Sequence, residues 1–161
     1  MPSKLRRPSK SIDEYDRAIL RILQRDNKTP QRTIGEAVNL SAAAVQRRIA
    51  AMEANRVILS NVATIDPGAV DPAITVVVEV HLENDRSAIV DAAKALFRAT
   101  AEVQQCYYVT GGAGFILIIL VPNMPSYEAL ARRLFSDNET VLTFRTLVVL
   151  DRVKTEIAIT V

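Results

Sequence analysis

The stretch QRTIGEAVNLSAAAVQRRIAAMEAN, residues 31–55, decides how the first part of the chain folds. Pro30 in front of it suits a helix start, and Ile34, Ala37 and Val38 give residues 31–38 one apolar face. Asn39-Leu40 interrupt the pattern, and Ser41 stands where the N-cap of a second helix belongs. Val45, Ile49 and Met52 then recur at helical spacing, which turns Ala42, Ala43, Gln46, Arg47 and Arg48 away from the core. That outward face opens with small residues at a positively polarised helix end and continues with an amide and two guanidiniums. Alanines permit close approach, glutamine pairs with adenine, and arginine forks to guanine or holds phosphate. The pattern suits a helix lying in a DNA major groove.

Upstream, residues from Asp13 onward read as a helix with acids at its positive end and Tyr15, Ala18, Ile19, Ile22 and Leu23 along one side. Residues 1–11, MPSKLRRPSKS, carry Lys4, Arg6, Arg7 and Lys10 without apolar periodicity and read as a basic arm. Downstream, residues 57–65 alternate enough for a short strand or wing. Asp66-Pro67-Gly68 and Asp71-Pro72 then mark a linker over residues 66–73. The charge balance changes sign at the same place. Residues 1–65 hold 12 Lys/Arg against 6 Asp/Glu, and residues 66–161 hold 8 against 12. A basic half joined to an acidic half fits a nucleic-acid module beside a module with another task.

The second half has a different rhythm. Residues 74–82 form a β-branched run, residues 87–99 are helical with Ile89, Ala93, Leu96 and Phe97 on one face, and residues 103–110 read as a second strand. Gly111-Gly112-Ala113-Gly114 turns the chain into a third strand over residues 115–121, so the two should form a hairpin. A helix containing Tyr127, Leu130, Leu134 and Phe135 follows, then a strand over residues 141–150, with residues 155–161 as a candidate fifth. Strand, helix, strand, strand, helix, strand is the split βαβ, ferredoxin-like order. Helices cover one face of such a sheet, and strands this apolar predict that the other face packs on a second copy of the chain.

With these residues in view, the chain resembles the Lrp/AsnC (leucine-responsive, feast/famine) family over residues 12–154. The motifs are Ile12-Asp13 with Asp16 and Ile19-Leu20; Leu40-Ser41 with Val45 and Arg47-Arg48-Ile49; Met52-Glu53; and Val57-Ile58. Farther on come Val109-Thr110-Gly111, Val121-Pro122-Asn123-Met124 with Tyr127, Val141 with Arg145-Thr146, and Val153-Lys154. The resemblance implies an α+β protein with an N-terminal three-helix winged helix-turn-helix domain over residues 12–65. A ferredoxin-like βαββαβ domain for oligomerisation and effector binding would follow over residues 74–161. It implies a transcription regulator with double-stranded DNA as partner, dimers assembling into octamers or similar discs, and amino-acid effectors held between dimers. DNA contact would fall on Ser41, Ala43, Gln46, Arg47 and Arg48. Effector contact would fall on Gly111, Gly112, Ala113, Gly114, Phe144 and Thr146. Three positions depart from the family pattern. Arg56 replaces a usual glycine, with Asn55 expected to take the left-handed cap instead; Gly114 replaces an aspartate suited to an amino-acid ammonium; and Phe144 brings a bulky ring to a polar region.

Other chemistries are thinly represented. The glycine run at 111–114 is followed by a strand rather than a helix, so it reads as a hairpin turn and not a phosphate loop. His81 between Glu79 and Glu83 could form a metal patch, but three neighbours along one strand converge poorly on an ion. Cys106, the only cysteine, excludes an internal disulfide, fits a reducing cytosol, and reads as a small core residue without an identifiable base. No cofactor is called for, and no run is apolar and long enough for a membrane span. Two rival readings remain at this stage. One is an enzyme like the sirohaem decarboxylases of the same architecture, which depend on histidines. The other is an oligomeric small-molecule sensor with a degenerate DNA domain.

Overall fold

Asp13 starts the first helix by a reciprocal arrangement. Its carboxylate accepts the Asp16 N–H at 2.8 Å, and the Asp16 carboxylate accepts the Asp13 N–H at 3.2 Å. The computed structural model describes residues 12–71, 73–111 and 114–161, so the basic arm expected at residues 1–11 lies outside the described residues, as do Gly112 and Ala113. The described chain divides into two units. One holds the helical segment up to Thr64 together with Glu156–Val161, and the other spans Ile65–Thr155.

In the first unit, α1 (Glu14–Leu23), α2 (Gln31–Val38) and α3 (Ala42–Ala54) enclose a small core of Ile19, Leu20, Ile34, Val45 and Met52. Pro30 fixes the entry to α2, and Asn39, at φ 57°, ends it in the left-handed conformation that asparagine tolerates. The Ser41 hydroxyl accepts the Ala44 N–H at 3.2 Å and caps α3. Gly35 is what lets the two helices meet, since a Cβ there would stand 2.4 Å from the Leu40 carbonyl oxygen.

Three expectations for this unit need correction. Arg56, not Asn55, takes the left-handed position, with φ 57° against −83°. The reason lies in the closing hydrogen bonds of α3. The Val57 N–H reaches the Met52 carbonyl at 2.8 Å and the Arg56 N–H reaches the Glu53 carbonyl at 2.9 Å, a pair that requires the left-handed residue just before Val57. Residues 57–65 form no wing strand. Leu59, Val62 and Ile65 are exposed, and no described neighbour offers this segment a ladder. Finally, residues 155–161 add no fifth strand, and Glu156–Val161 groups with the helices rather than with the sheet domain expected to run to residue 161. The Gln24 side chain substitutes for one rung of a ladder. Its Nε2 donates to the Ile159 carbonyl at 3.0 Å, and its Oε1 accepts the Ile159 N–H at 2.7 Å. Arg21 Nε donates to the Val161 carbonyl at 2.8 Å, and Val161 packs against the helical core.

The linker contains a short helix, α4 (Pro67–Val70), because Asp66 caps it through the Gly68 N–H and Pro67 is pre-set for a first turn. In the second unit the order is β1 (Ile74–Leu82), α5 (Ser87–Ala99), β2 (Val103–Tyr108), β3 (Phe115–Val121), α6 (Met124–Ala131) and β4 (Val141–Val148). A π-helical turn, Arg132–Ser136, extends α6. The sheet runs β2-β3-β1-β4 with every pairing antiparallel, the ferredoxin-like arrangement that the element order predicts.

Register decides what each face carries. Val76, Val78 and Val80 of β1 lie beside Leu117, Ile119 and Phe115 of β3, and all six are fully buried under α5 and α6 with Phe97, Leu134 and Phe135. The alternate residues, Val77 and Glu79 of β1, Ile116, Ile118 and Leu120 of β3, and Arg145 and Leu147 of β4, point to the face without helices.

Two substitutions test the local backbone. Gly35→Ala should weaken the helical unit by about 2 kcal/mol, because a methyl group cannot share space with a carbonyl oxygen. Arg56→Gly should strengthen it by about 1 kcal/mol, the approximate cost of a left-handed non-glycine residue. Amide hydrogen exchange in α2 and α3 should be faster in the first variant and slower in the second.

Candidate nucleic-acid interface

Ser41, Ala43, Gln46 and Arg47 are exposed together on the N-terminal half of α3, whose inward side is held by Val45 and Met52. The first turn of the helix is alanine, so its backbone N–H groups and positive dipole end are not screened by bulky side chains. Among the described residues Arg47 makes no ion pair, and its guanidinium is available to an acceptor outside the chain.

Arg48 is placed differently from the other four. Its Nη1 donates to Asp13 Oδ2 at 2.7 Å and to Asp16 Oδ1 at 2.8 Å, and the guanidinium carbon lies 5.3 Å from the centre of the Tyr15 ring. The Asp16 N–H first and Arg48 second hold the Asp13 carboxyl below the usual carboxylate range. A depressed carboxylate contributes stability that is fully present above the ordinary carboxylate pKa and is lost as pH falls from there through the lowered value. Asp16 and then Asp13 push the Arg48 guanidinium further up, so it is always charged. The sequence shows Asp13 and Asp16 as helix-capping acids. It gives no local sign that they meet an arginine more than thirty residues away.

Of the residues expected to hold an effector, the described ones are Gly111, Gly114, Phe144 and Thr146, all in the second unit. Gly111 follows β2 with φ 95° and open space where a Cβ would be. The Gly114 N–H donates to the Val80 carbonyl of β1 at 2.9 Å and its carbonyl accepts the Val109 N–H at 3.1 Å, so its backbone groups are used up within the sheet. Val80 pairs on its other side with Phe144, which places Gly114 and Phe144 on neighbouring rows. The Phe144 ring lies 4.9 Å from that of Phe135 and packs against the core beneath the helices. Thr146, two residues on, shares a hydrogen bond with the Tyr127 hydroxyl, whose pKa burial raises against the pull of that bond. Phe144 and Thr146 therefore belong to the packed side of the sheet, whereas Gly111 is exposed and Gly114 half-buried at its rim.

The chain matches the family model for the AsnC-type helix-turn-helix domain over residues 12–53 and that for the Lrp/AsnC ligand binding domain over residues 75–159. It is 40% identical to an HTH-type transcriptional regulator of Sinorhizobium fredii, covering 92% of this chain and 88% of that one. It is 29% identical to the leucine-responsive regulatory protein of Salmonella typhimurium, covering 96% and 94%. Among solved structures it superposes on an AsnC family transcriptional regulator from Agrobacterium tumefaciens with a TM-score of 0.84, 27% identity, and coverage of 92% and 96%. The same TM-score and coverage hold for a regulator of Neisseria meningitidis solved as a complex with L-Met. At 20% identity this likeness concerns the fold.

Cys106 departs from the sequence reading. It is exposed on the edge strand β2 rather than buried in the core. Partial burial nevertheless pushes its thiol above the ordinary value, against the opposing pull of Arg98 and then Lys94. At neutral pH it is a protonated thiol and a poor nucleophile. Iodoacetamide should modify it more slowly than free cysteine at pH 8. Arg98→Ala should slow it further by removing the larger favourable charge. A rate above that of free cysteine would contradict this assignment.

Proposed function

The chain belongs to the Lrp/AsnC family of DNA-binding, effector-modulated transcriptional regulators, and from that premise we propose how its own residues divide the work. Residues 12–65 read double-stranded DNA through α3. Ala43, Gln46 and Arg47 meet base edges and phosphates, while Ser41 caps the helix and approaches the backbone at its N-terminus. The observation that carries this reading is the exposed Gln46-Arg47 pair behind an alanine first turn, on a helix whose opposite side is fully committed to the core.

The sheet domain supplies self-association and effector response. Val77, Ile116, Ile118, Leu120 and Leu147 make an apolar surface on the face without helices, and a second copy covers it. Dimers assemble further into an octamer or a similar closed ring. The effector is an amino acid or a related small molecule bound between dimers near the rim at Gly111 and Gly114. A glycine at position 114 offers no carboxylate to an ammonium group, so the preferred ligand is less polar than one selected by an aspartate there. Phe144 and Thr146 shape this region from the packed side rather than by direct contact. The protein acts in the cytoplasm, by binding and not by catalysis.

Selection from a random duplex pool, with and without a panel of amino acids, tests DNA reading and effector response together. It should enrich an imperfect palindrome, and at least one amino acid should change the affinity or the spacing selected. Gln46→Ala and Arg47→Ala should each weaken binding to the enriched site about tenfold or more. Retention of wild-type affinity and preference in both variants would show that α3 reads DNA through another face. Ile118→Glu should break the dimer in sedimentation and reduce affinity for the two-half-site duplex far more than for a single half-site.

A further inference from the structure

The sequence Gln46-Arg47-Arg48 leaves open which arginine serves the DNA, since consecutive residues differ by about 100° around a helix. A roll of that size would exchange the two guanidiniums. We propose that Arg48 is a positioning residue, whose clamp on Asp13 and Asp16 sets the rotation of α3 so that Gln46 and Arg47, and not Arg48 itself, address the DNA. The proposal deepens the DNA-reading assignment of α3 and rests on it.

The geometry accounts for every oxygen of both carboxylates. Asp13 Oδ1 accepts the Asp16 N–H and Asp16 Oδ2 accepts the Asp13 N–H, closing the cap of α1, and the two remaining oxygens accept from the same Arg48 nitrogen. The cap of α1 and the tie to α3 are one hydrogen-bonded cluster. The Tyr15 ring covers one side of the guanidinium, and the Arg48 and Asp16 side chains are only 31% and 16% exposed. The helix-surface pair Arg32 and Glu36, at 86% and 66%, shows what a loosely held ion pair looks like in the same unit. Moving Arg48 to a phosphate would break two charge-assisted bonds. It would also leave two carboxylates facing a polyanion. A held Arg48 leaves Arg47, unpaired among the described residues, as the guanidinium of the reading face, at a rotation fixed from the start of α1.

The test compares wild type, Arg48→Ala, Arg48→Lys, the double variant Asp13→Asn/Asp16→Asn, and Arg48→Ala combined with that double variant. Each is measured on a duplex enriched from a random pool and on a scrambled duplex of equal length. Asparagine still caps a helix, so the double variant keeps α1 while removing the charge of the clamp. Preference for the enriched duplex should fall about tenfold in Arg48→Ala and equally in the double variant, a loss comparable to one mismatched base pair. The combined variant should be no worse than either, Arg48→Lys should recover part of the preference, and the salt slope of binding should stay at the wild-type value.

A loss of folded protein alone would lower binding to both duplexes together and leave their ratio unchanged, and that result would overturn the proposal. The pattern of a phosphate contact would overturn it equally. In that pattern Arg48→Ala has a slope shallower by about 0.9, and Asp13→Asn/Asp16→Asn binds more tightly with its preference intact. A wild-type chain that enriches no sequence would sink the DNA-reading assignment and this proposal with it. Thermal unfolding of the same variants without DNA separates the two failures, since non-additive losses there would show the clamp surviving as a structural contact only.

Discussion

A Cβ on residue 35 would run into the Leu40 carbonyl oxygen, and the close approach of α2 to α3 depends on its absence. Three helices of ten, eight and thirteen residues are too short to persist on propensity alone, so they depend on packing against one another. Among the described residues, the buried side chains of that packing are Ile19, Leu20, Ile34, Val45 and Met52, with partly buried neighbours such as Ile22, Leu40 and Ile49 around them. A core this small tolerates no slack at the turn. With glycine at 35 and a left-handed Asn39, α2 and α3 come close enough for Ile34 and Val45 to share one cluster. A larger residue at 35 would push the helices apart and change the angle at which α3 is presented.

The second unit meets the opposite problem, since apolar residues are abundant and the question is where they go. Register answers it, because a strand shifted by one residue would exchange its faces. The pairing of Val78 with Leu117 and Thr146 sends Val76, Val78 and Val80 toward α5 and α6, leaving Ile116, Ile118 and Leu120 on the far side. The Glu79–Arg145 pair, at 3.0 Å, lies on that far side across neighbouring strands. That face mixes Val77, Ile116, Ile118, Leu120 and Leu147 with Thr75, His81, Gln105 and Thr143, and its one ion pair is satisfied within the chain, so covering it leaves no unmatched charge at Glu79 or Arg145.

Much of this was legible in the sequence where the signal is periodic and local. The helical spacing of Val45, Ile49 and Met52, the Ser41 cap, and the alternation of β1 and β3 each follow from side chains a few residues apart. The misread features depend on a distant or absent partner. Residues 57–65 have the alternation of a strand but no described neighbour to pair with, and residues 155–161 meet the Gln24 amide instead of an edge strand. Arg56 shows a subtler limit. Residue preference favours asparagine for the left-handed position, but two backbone hydrogen bonds to Met52 and Glu53 determine which residue must take it. Cys106 is exposed although a small apolar residue is expected in the core, because β2 is an edge strand. The candidate site divides in the same way. The outward face of α3 could be read from spacing, but the capture of Arg48 by two acids on α1 could not.

Arginine is usually counted as a gain wherever a protein meets DNA, because each free guanidinium exchanges condensed counterions for a phosphate contact. That gain is independent of sequence, however, and a helix with two mobile arginines could satisfy phosphates in more than one rotation. Immobilising one of them gives up some non-specific attraction and leaves fewer ways to dock. Asp13 and Asp16 achieve this without adding residues, since the carboxylates that cap α1 have one oxygen each to spare. Even so, one reading helix presenting chiefly Gln46 and Arg47 makes few base contacts. Discrimination at the level a regulator needs must come from two or more copies held in fixed geometry. In the proposed dimer, the far face of the sheet would therefore share in sequence recognition with α3.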